Sequence, residues 1–205
     1  IDLYQIHWPN PDRDVEEGWT AVAELVEQGK VRFAGVSNFN VEQMRRAQAI
    51  HPITSLQPPY SMIHREVERE ILPFCAEHGI GVVAYSPMQC GLLTGAFNAE
   101  RLAALDAGDW RRKDRCFKEP VFGKTMELVD RLAPLARQWG RSMAQLAVAW
   151  VLRRVEVTAA IVGARRPAQI EETGPAGDWE LSPEQLEQVD AVMREVAVPD
   201  PGPLR

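Results

Sequence analysis

The chain has 205 residues, of which 45% are hydrophobic, so it is long enough to bury a sizeable core within one domain. Its net charge of −6 at pH 7 argues against a general nucleic-acid-binding or membrane-surface protein. Three cysteines (Cys75, Cys90 and Cys116) have no metal-ligand spacing and form an odd set, which favours a reducing cytoplasm. No apolar run approaches the roughly 20 residues of a membrane span.

The opening stretch, residues 1–9, predicts a β-strand, because apolar and polar residues are interspersed along it and Pro9 ends it. Ile1 enters this strand directly, without a cap or a polar arm. We therefore expect the chain to be the carboxyl-terminal part of a longer polypeptide. His7 and Trp8 stand at the end of the strand. A strand-end histidine is ordinarily a half-buried structural residue, so His7 alone indicates no function.

Strand and helix patterns then alternate. Strands are predicted at residues 31–36, 54–57, 81–85 and 158–162, and helices at residues 15–28, 41–49, 65–78, 122–139, 143–154, 167–173 and 183–196. Residues 12–14 offer caps for the first helix, and Asn40 and Ser182 are expected to cap later ones. Residues 89–120 have little periodicity and carry a charged cluster, so they form either a functional lid or a mobile loop.

This alternation is typical of a parallel sheet covered by helices, and it predicts an α/β fold of the (β/α)8 TIM-barrel type. Five of the eight strand–helix units are present, which matches the expected cut ahead of residue 1. We expect residues 1–205 to form a single, amino-terminally truncated barrel domain, with residues 89–120 as a long cofactor or lid loop.

Polar residues follow every predicted strand. His7-Trp8, Ser37-Asn38, Gln57, Tyr85-Ser86 and residues 163–165 each stand at the end of a predicted strand or directly after it. Singly, each has an ordinary structural interpretation, such as a helix-entry turn, a polar strand end or a solvated arginine. Together they indicate an active site, because the loops after the strands form the active face of such barrels.

At this point the residues resemble the aldo-keto reductase family. The resemblance covers nearly the whole chain, in order, and rests on these motifs: His7-Trp8-Pro9, Gly35-Val36-Ser37-Asn38-Phe39, Gln57 with Tyr60-Ser61, Ala84-Tyr85-Ser86-Pro87, Gly91-Leu92-Leu93-Thr94-Gly95, and Gly163-Ala164-Arg165 with Gln169 and Glu172. It implies a (β/α)8 barrel that binds NADPH, with NADH as an alternative cofactor, and reduces an aldehyde or ketone by hydride transfer.

The resemblance also implies roles for residues around the reacting atoms. His7 would donate a hydrogen bond to the substrate carbonyl oxygen and orient it. The nicotinamide carboxamide would be held by Ser37, Asn38 and Gln57. Tyr85 would stack on the nicotinamide ring, and Trp8 would line the substrate pocket.

For the rest of the cofactor, the resemblance implies a second group of residues. The pyrophosphate would be reached by Ser86, Pro87, Met88, Gly91 and Leu93. The adenosine end would lie near Gly163, Arg165, Gln169 and Glu172. The sequence departs from the family at Thr173, where an asparagine is usual, and at Gln169, where a lysine or arginine is common. A preference for NADPH would therefore rest mainly on Arg165, with Arg166 as a further candidate.

Carbonyl reduction also needs a proton donor, and the family supplies a tyrosine, a lysine and an aspartate from strands that would precede Ile1. We therefore expect residues 1–205 alone to be inactive. Two other interpretations stay open: a cofactor-binding regulatory subunit of the same family, and an unrelated parallel barrel with a phosphate-containing ligand. The expected partner is a small carbonyl compound, and neither nucleic acid nor a membrane is expected.

Overall fold

In a computed structural model, residues 1–202 are described, and their contacts group them into two compact units. The first unit holds residues 1–59, 66–85 and 155–159. The second holds residues 60–65, 86–154 and the described residues from 160 onward. The single-domain organisation expected from the sequence stays a prediction.

Five strands form one sheet in the order β1-β2-β3-β4-β5. Their bounds are β1 Leu3–Ile6, β2 Phe33–Ser37, β3 Ser55–Gln57, β4 Gly81–Tyr85 and β5 Val157–Ile161. The pairs β1–β2, β2–β3 and β3–β4 are parallel. Parallel neighbours need a crossover connection, which explains why a helix follows each strand. The parallel α/β fold predicted from the alternation is confirmed.

The helices follow the predicted periodicity closely. Their bounds are α1 Val15–Glu27, α2 Val41–Gln48, α3 Ile71–Glu77, α4 Ala99–Ala103, α5 Val121–Gln138, α6 Met143–Leu152, α7 Pro167–Thr173 and α8 Pro183–Val196. Asn40 and Ser182 cap α2 and α8 as predicted, each with a reciprocal capping box. Within residues 1–202, no helix combines the length and the apolar character needed to cross a membrane.

One face of the sheet in the first unit is buried beneath helices. Val36, Leu56 and Val82 are register neighbours across β2, β3 and β4, and all three are fully buried. From α1, the buried Trp19 donates from Nε1 to the carbonyl oxygen of His51 at 3.0 Å. Because side chains alternate along a strand, Gln57 points to the opposite face, where the polar residues gather.

The third helix differs from its prediction. In place of one helix over residues 65–78, the chain forms a 3₁₀ turn, Glu66–Glu68, and then α3, Ile71–Glu77. Pro73 explains the interruption. It has no N–H to donate to Arg69, and in a continuous helix its ring would clash with that carbonyl.

Asp14 occupies the N-cap position of α1, within the predicted residues 12–14, but its side chain does not cap the helix. Asp12–Asp14 form a 3₁₀ turn, and Asp14 makes no side-chain capping bond. Asp12 instead accepts from Gln43 at 2.8 Å and forms an ion pair with Arg46 at 2.9 Å. Hydrogen bonds from Arg46 and Gln43 lower the pKa of Asp12. The acidic side chain therefore links the start of α1 to α2.

Residues 89–120 contain α4 and three 3₁₀ turns: Gln89–Thr94, Trp110–Arg112 and Arg115–Phe117. Such short helices leave no long period in the sequence. The buried Phe97 packs its ring against Phe117 at 5.3 Å and Phe122 at 6.2 Å between centroids. Arg111 pairs with Asp109 at 2.5 Å, both side chains being less than a fifth exposed. The Arg111 guanidinium is therefore held in an ion pair that is mostly shielded from solvent.

Replacing Asn40 by alanine is expected to lower the free energy of unfolding by about 1 kcal/mol. The Oδ1 atom of Asn40 accepts from the Gln43 backbone N–H at 2.8 Å, and alanine would leave that donor unsatisfied. The Asn40→Ser variant keeps an acceptor and should stay within about 0.5 kcal/mol of the parent. Urea unfolding measures both variants. Equal stabilities for the two would contradict the capping role.

Candidate active site

Asn38 is the centre of the polar cluster in the first unit. Its Nδ2 donates to the carbonyl oxygen of His7 and to Oγ of Ser37, both at 3.0 Å. Its Oδ1 accepts from the Tyr85 hydroxyl at 2.9 Å. The backbone of Asn38 has a left-handed φ of 62°, which asparagine tolerates better than most residues. One side chain therefore joins the ends of β1, β2 and β4.

Gln57 extends this cluster to β3. Its carbonyl oxygen accepts from the hydroxyl of the buried Ser37 at 2.7 Å and from the backbone N–H of Asn38 at 3.2 Å. The side-chain Nε2 of Gln57 donates to Oε1 of Gln5 at 3.1 Å. Among residues 1–202, Oε1 of Gln57 has no hydrogen-bond partner, so the cluster presents one open acceptor.

Tyr85 is held from two sides. Its backbone N–H donates to the carbonyl oxygen of Pro58 at 3.0 Å, and its hydroxyl is bonded to Asn38. The preceding residue, Ala84, is fully buried. The half-buried aromatic ring is therefore fixed at the end of β4.

His7 and Trp8 are exposed at the end of β1. Trp8 is 45% exposed, and its ring centroid lies 5.8 Å from that of His7. The backbone of His7 is fixed by Asn38, whereas both rings are open to solvent. An accessible imidazole on a fixed backbone can donate a hydrogen bond to a small molecule.

Sequence reasoning missed Gln5, which lies two residues before His7. Gln5 accepts from Gln57 and donates from Nε2 to Oγ of Ser55 at 3.1 Å. Gly35 is the register neighbour of both Gln5 and Ser55. A Cβ atom added to Gly35 would lie 2.3 Å from the Ser55 hydroxyl and 3.0 Å from Cγ of Gln5. The glycine therefore leaves the space in which Gln5 reaches Ser55.

In the second unit, the predicted phosphate turn is tightly wound. Ser86, Gln89, Cys90 and Gly91 all have positive φ, from 44° to 100°. The backbone N–H groups of Gly91 and Leu93 both donate to the carbonyl oxygen of Met88 at 3.1 Å. Those two N–H groups are thus used inside the turn. The Pro87 and Leu93 side chains are buried.

Gln89 holds this turn in place and was not identified from the sequence. It is 1% exposed, and its Oε1 accepts from the Ser61 hydroxyl at 3.0 Å. Its Nε2 donates to Sγ of Cys116 at 3.1 Å. A glutamine in an aperiodic, glycine-flanked segment looks like a surface residue, so no local signal indicated its burial.

The residues predicted for the adenosine end surround α7. Gly163, Arg165 and Glu172 are exposed. The Gln169 Oε1 atom accepts from the backbone N–H groups of Arg165 at 2.7 Å and Arg166 at 3.1 Å. Thr173 is buried, and its hydroxyl donates to the carbonyl oxygen of Gln169 at 2.8 Å. The Thr173 hydroxyl therefore donates its proton within α7 and has no proton left to donate to a ligand.

The Asp109–Arg111 pair belongs to the electrostatics of the same unit. Hydrogen bonds from the side chain and backbone of Arg111 lower the pKa of Asp109 to about 2, and the positive charge of Arg165 acts in the same direction. Asp109 is therefore ionised at neutral pH and offsets part of the charge around Arg165.

The structure thus brings together one predicted set in the first unit: His7, Trp8, Ser37, Asn38, Gln57 and Tyr85. The second unit holds the other set: Ser86, Pro87, Met88, Gly91, Leu93, Gly163, Arg165, Gln169 and Glu172. Their ligand-binding roles stay predictions. Within the described residues, no group of three or more His, Cys, Asp or Glu side chains could hold a metal ion.

A family model described as the Aldo/keto reductase family matches residues 1–194. The chain belongs to this family. It is 37% identical over 205 residues to the aldo-keto reductase YhdN of Bacillus subtilis (strain 168), covering 99% of this chain and 61% of that protein. It is 32% identical over 199 residues to the aldo-keto reductase yakc of Schizosaccharomyces pombe, whose name specifies NADP(+), covering 96% and 56%.

The solved structure of the glycerol dehydrogenase AKR11B4 from Gluconobacter oxydans has a TM-score of 0.88 to this chain at 35% identity. The match covers 100% of this chain and 61% of that structure. The chain therefore spans about six-tenths of the length of the relatives it matches. Its parallel α/β sheet corresponds to the (β/α)8 fold of the aldo-keto reductases, which excludes the unrelated parallel barrel considered above.

Replacing Gly35 by alanine is expected to lower the free energy of unfolding by roughly 1–3 kcal/mol, because the new Cβ would overlap Ser55. Gly108→Ala is the matched control, since a Cβ atom at that position meets nothing within 4 Å. Urea unfolding of both aldo-keto reductase variants gives the comparison. A Gly35→Ala variant as stable as the control would contradict the close approach.

We expect iodoacetamide at about pH 8 to label Cys90, which is exposed, and to spare Cys75 and Cys116. Desolvation raises the pKa of all three thiols, for Cys75 and Cys116 from 9.0 to about 12, and the thiolate is the reactive form, so the expected selectivity rests on the exposure of Cys90. The unfolded thiols ionise first, so stability should fall as pH rises from about 9 to about 12. Peptide mass spectrometry identifies the labelled residues, and labelling in urea is the control. Equal native-state labelling would contradict the burial.

Proposed function

We propose that the protein carrying this chain is an NADPH-dependent oxidoreductase that reduces an aldehyde or a ketone to an alcohol. The observation that carries this proposal is the hydrogen-bonded cluster around Asn38, which fixes Tyr85 and Gln57 beside an exposed histidine. Family membership supports the same assignment. The cytoplasmic location expected from the cysteine pattern stays a prediction.

His7 is proposed to orient the substrate. Its backbone carbonyl is held by Asn38, so the position of the imidazole is constrained while the ring remains accessible. A donor placed at the carbonyl oxygen polarises the C=O bond and stabilises the charge that develops there during reduction. Trp8 would form an apolar wall of the substrate pocket beside it.

The open groups of the first unit fit a nicotinamide. A carboxamide has two N–H donors and one oxygen acceptor, and Gln57 presents an unpaired Oε1 acceptor among the described residues. Ser37 and Asn38 contribute further polar atoms to the same site. Tyr85 supplies a fixed aromatic surface on which the ring would stack. When bound, the nicotinamide supplies the hydride that reduces the carbonyl carbon.

Side chains are proposed as the main hydrogen-bond donors to the cofactor phosphates, because the backbone N–H groups of Gly91 and Leu93 already donate to Met88 within the turn. Ser86 would contact the pyrophosphate, and the exposed guanidinium of Arg165 would bind the adenosine 2′-phosphate. The NADP(+) in the name of the fission yeast relative supports NADPH over NADH.

The proton donor is proposed to lie outside residues 1–205. Tyr60 is fully buried and accepts from Arg153 at 3.0 Å, and Tyr85 is bonded to Asn38. The third tyrosine, Tyr4, lies on the opposite face of β1 from His7 by strand alternation. Residues 1–205 alone are therefore expected to lack carbonyl reductase turnover. A regulatory subunit that binds the cofactor without turnover is the second candidate.

The test is a fluorescence titration of the whole protein with NADPH, followed by addition of an aldehyde. We expect a change in NADPH emission on mixing and its loss as the cofactor is oxidised. Tyr85→Leu removes the aromatic surface and should weaken NADPH binding about fivefold to tenfold, whereas Tyr85→Phe keeps the ring and should change it by less than about threefold.

Two outcomes would redirect the proposal. Binding without oxidation by any aldehyde or ketone would favour the regulatory subunit. Absence of NADPH and NADH binding to the whole protein, or a normal enzymic rate from residues 1–205 alone, would overturn the assignment made here.

A further inference from the structure

We propose that Gln5 is a positioning residue that sets the orientation of the Gln57 side-chain amide and so determines which of its atoms faces the cofactor. This inference rests on the proposed function, because it concerns how the nicotinamide carboxamide would be recognised. Gln5 would act only through Gln57 and would touch neither substrate nor cofactor.

The side chains of Gln57, Gln5 and Ser55 form a chain of two hydrogen bonds, called the relay below, in which both bonds are donated in the same direction. Gln57 donates from Nε2 to Oε1 of Gln5 at 3.1 Å, and Gln5 donates from Nε2 to Oγ of Ser55 at 3.1 Å. The Gln5 amide is therefore held at both ends, and the Gln57 amide is held only at Nε2. The far end of Gln57, its Oε1 atom, is the group left without a partner among residues 1–202.

The sheet register makes this relay possible. Gln5, Gly35 and Ser55 are aligned across β1, β2 and β3, so Gln5 must cross the middle strand to reach Ser55. Two strand spacings are about 10 Å, and the glutamine side chain, the hydrogen bond and the serine side chain together bridge them only if the middle residue has no side chain. Gly35 meets that condition, since any Cβ there would lie 2.3 Å from the Ser55 hydroxyl.

The direction of the relay determines the chemistry that Gln57 offers. An amide has a donor end and an acceptor end, and the end bonded to Gln5 is hidden from any ligand. With Nε2 of Gln57 bonded to Gln5, the acceptor faces outward and matches the N–H donors of a carboxamide. In a reversed relay, Ser55 would donate to Gln5, and Gln57 would present its donor instead.

The test compares NADPH with its 3-acetylpyridine analogue, in which a methyl ketone replaces the carboxamide and removes both N–H donors. Binding of each to the whole protein is measured by fluorescence. We expect the wild type to prefer NADPH by about fivefold, the factor expected for one hydrogen bond. Gln5→Met removes both relay bonds, so the preference should fall to less than about twofold.

Two further variants separate positioning from folding. Gln5→Glu carries only acceptors, so it should keep Nε2 of Gln57 turned inward and retain the wild-type preference. Ser55→Ala leaves Gln5 in place but removes its anchor, and the preference should fall. Gln188→Met, on the exposed surface of α8, is the matched control and should change nothing.

The outcomes are distinguishable. A general loss of packing would weaken NADPH and its analogue equally and leave their ratio unchanged, and that result for Gln5→Met and Ser55→Ala would overturn the positioning role. If Gln5→Met does not fold, Ser55→Ala decides alone. Failure of the wild type to bind either compound would instead overturn the proposed function.

Discussion

The hydrogen bonds of Asn38 are the interaction on which the candidate site depends. Parallel strands end at one edge of their sheet, but nothing in strand pairing fixes the residues that follow those ends. Asn38 does so by bonding the carbonyl of His7 and the hydroxyl of Tyr85, while its backbone N–H binds Gln57. The histidine, the tyrosine and the glutamine are therefore held by one residue, whose backbone is left-handed.

A second constraint lies one layer deeper. Gly35 has no side chain, so Gln5 and Ser55 meet across the strand between them. The same absence lets Gln5 hold the side chain of Gln57 from below. Gly35 thus influences the candidate site only by leaving space for Gln5. The specificity of the site therefore depends on the strand register as much as on the identity of the exposed groups.

Local signals explain why some expectations succeeded and others failed. Asn40 and Ser182 predicted their helix starts because a helix cap bonds only to neighbours in sequence, here Gln43 and Gln185. Asp12 does not cap α1 because its carboxylate forms an ion pair with Arg46 of α2. Pro73 interrupted the third helix, a signal that was visible in the sequence but outweighed by the apolar period.

The sequence by itself determined the strand–helix alternation, the parallel α/β class, the family and the residues of the proposed rim, because periodicity and motifs are local properties. Tertiary structure alone decided which atoms of that rim are open. The turn at Met88 uses the N–H groups of Gly91 and Leu93, and Gln5 hides one end of Gln57. Hydrogen bonds between distant strands and within a folded turn depend on geometry that no local pattern encodes.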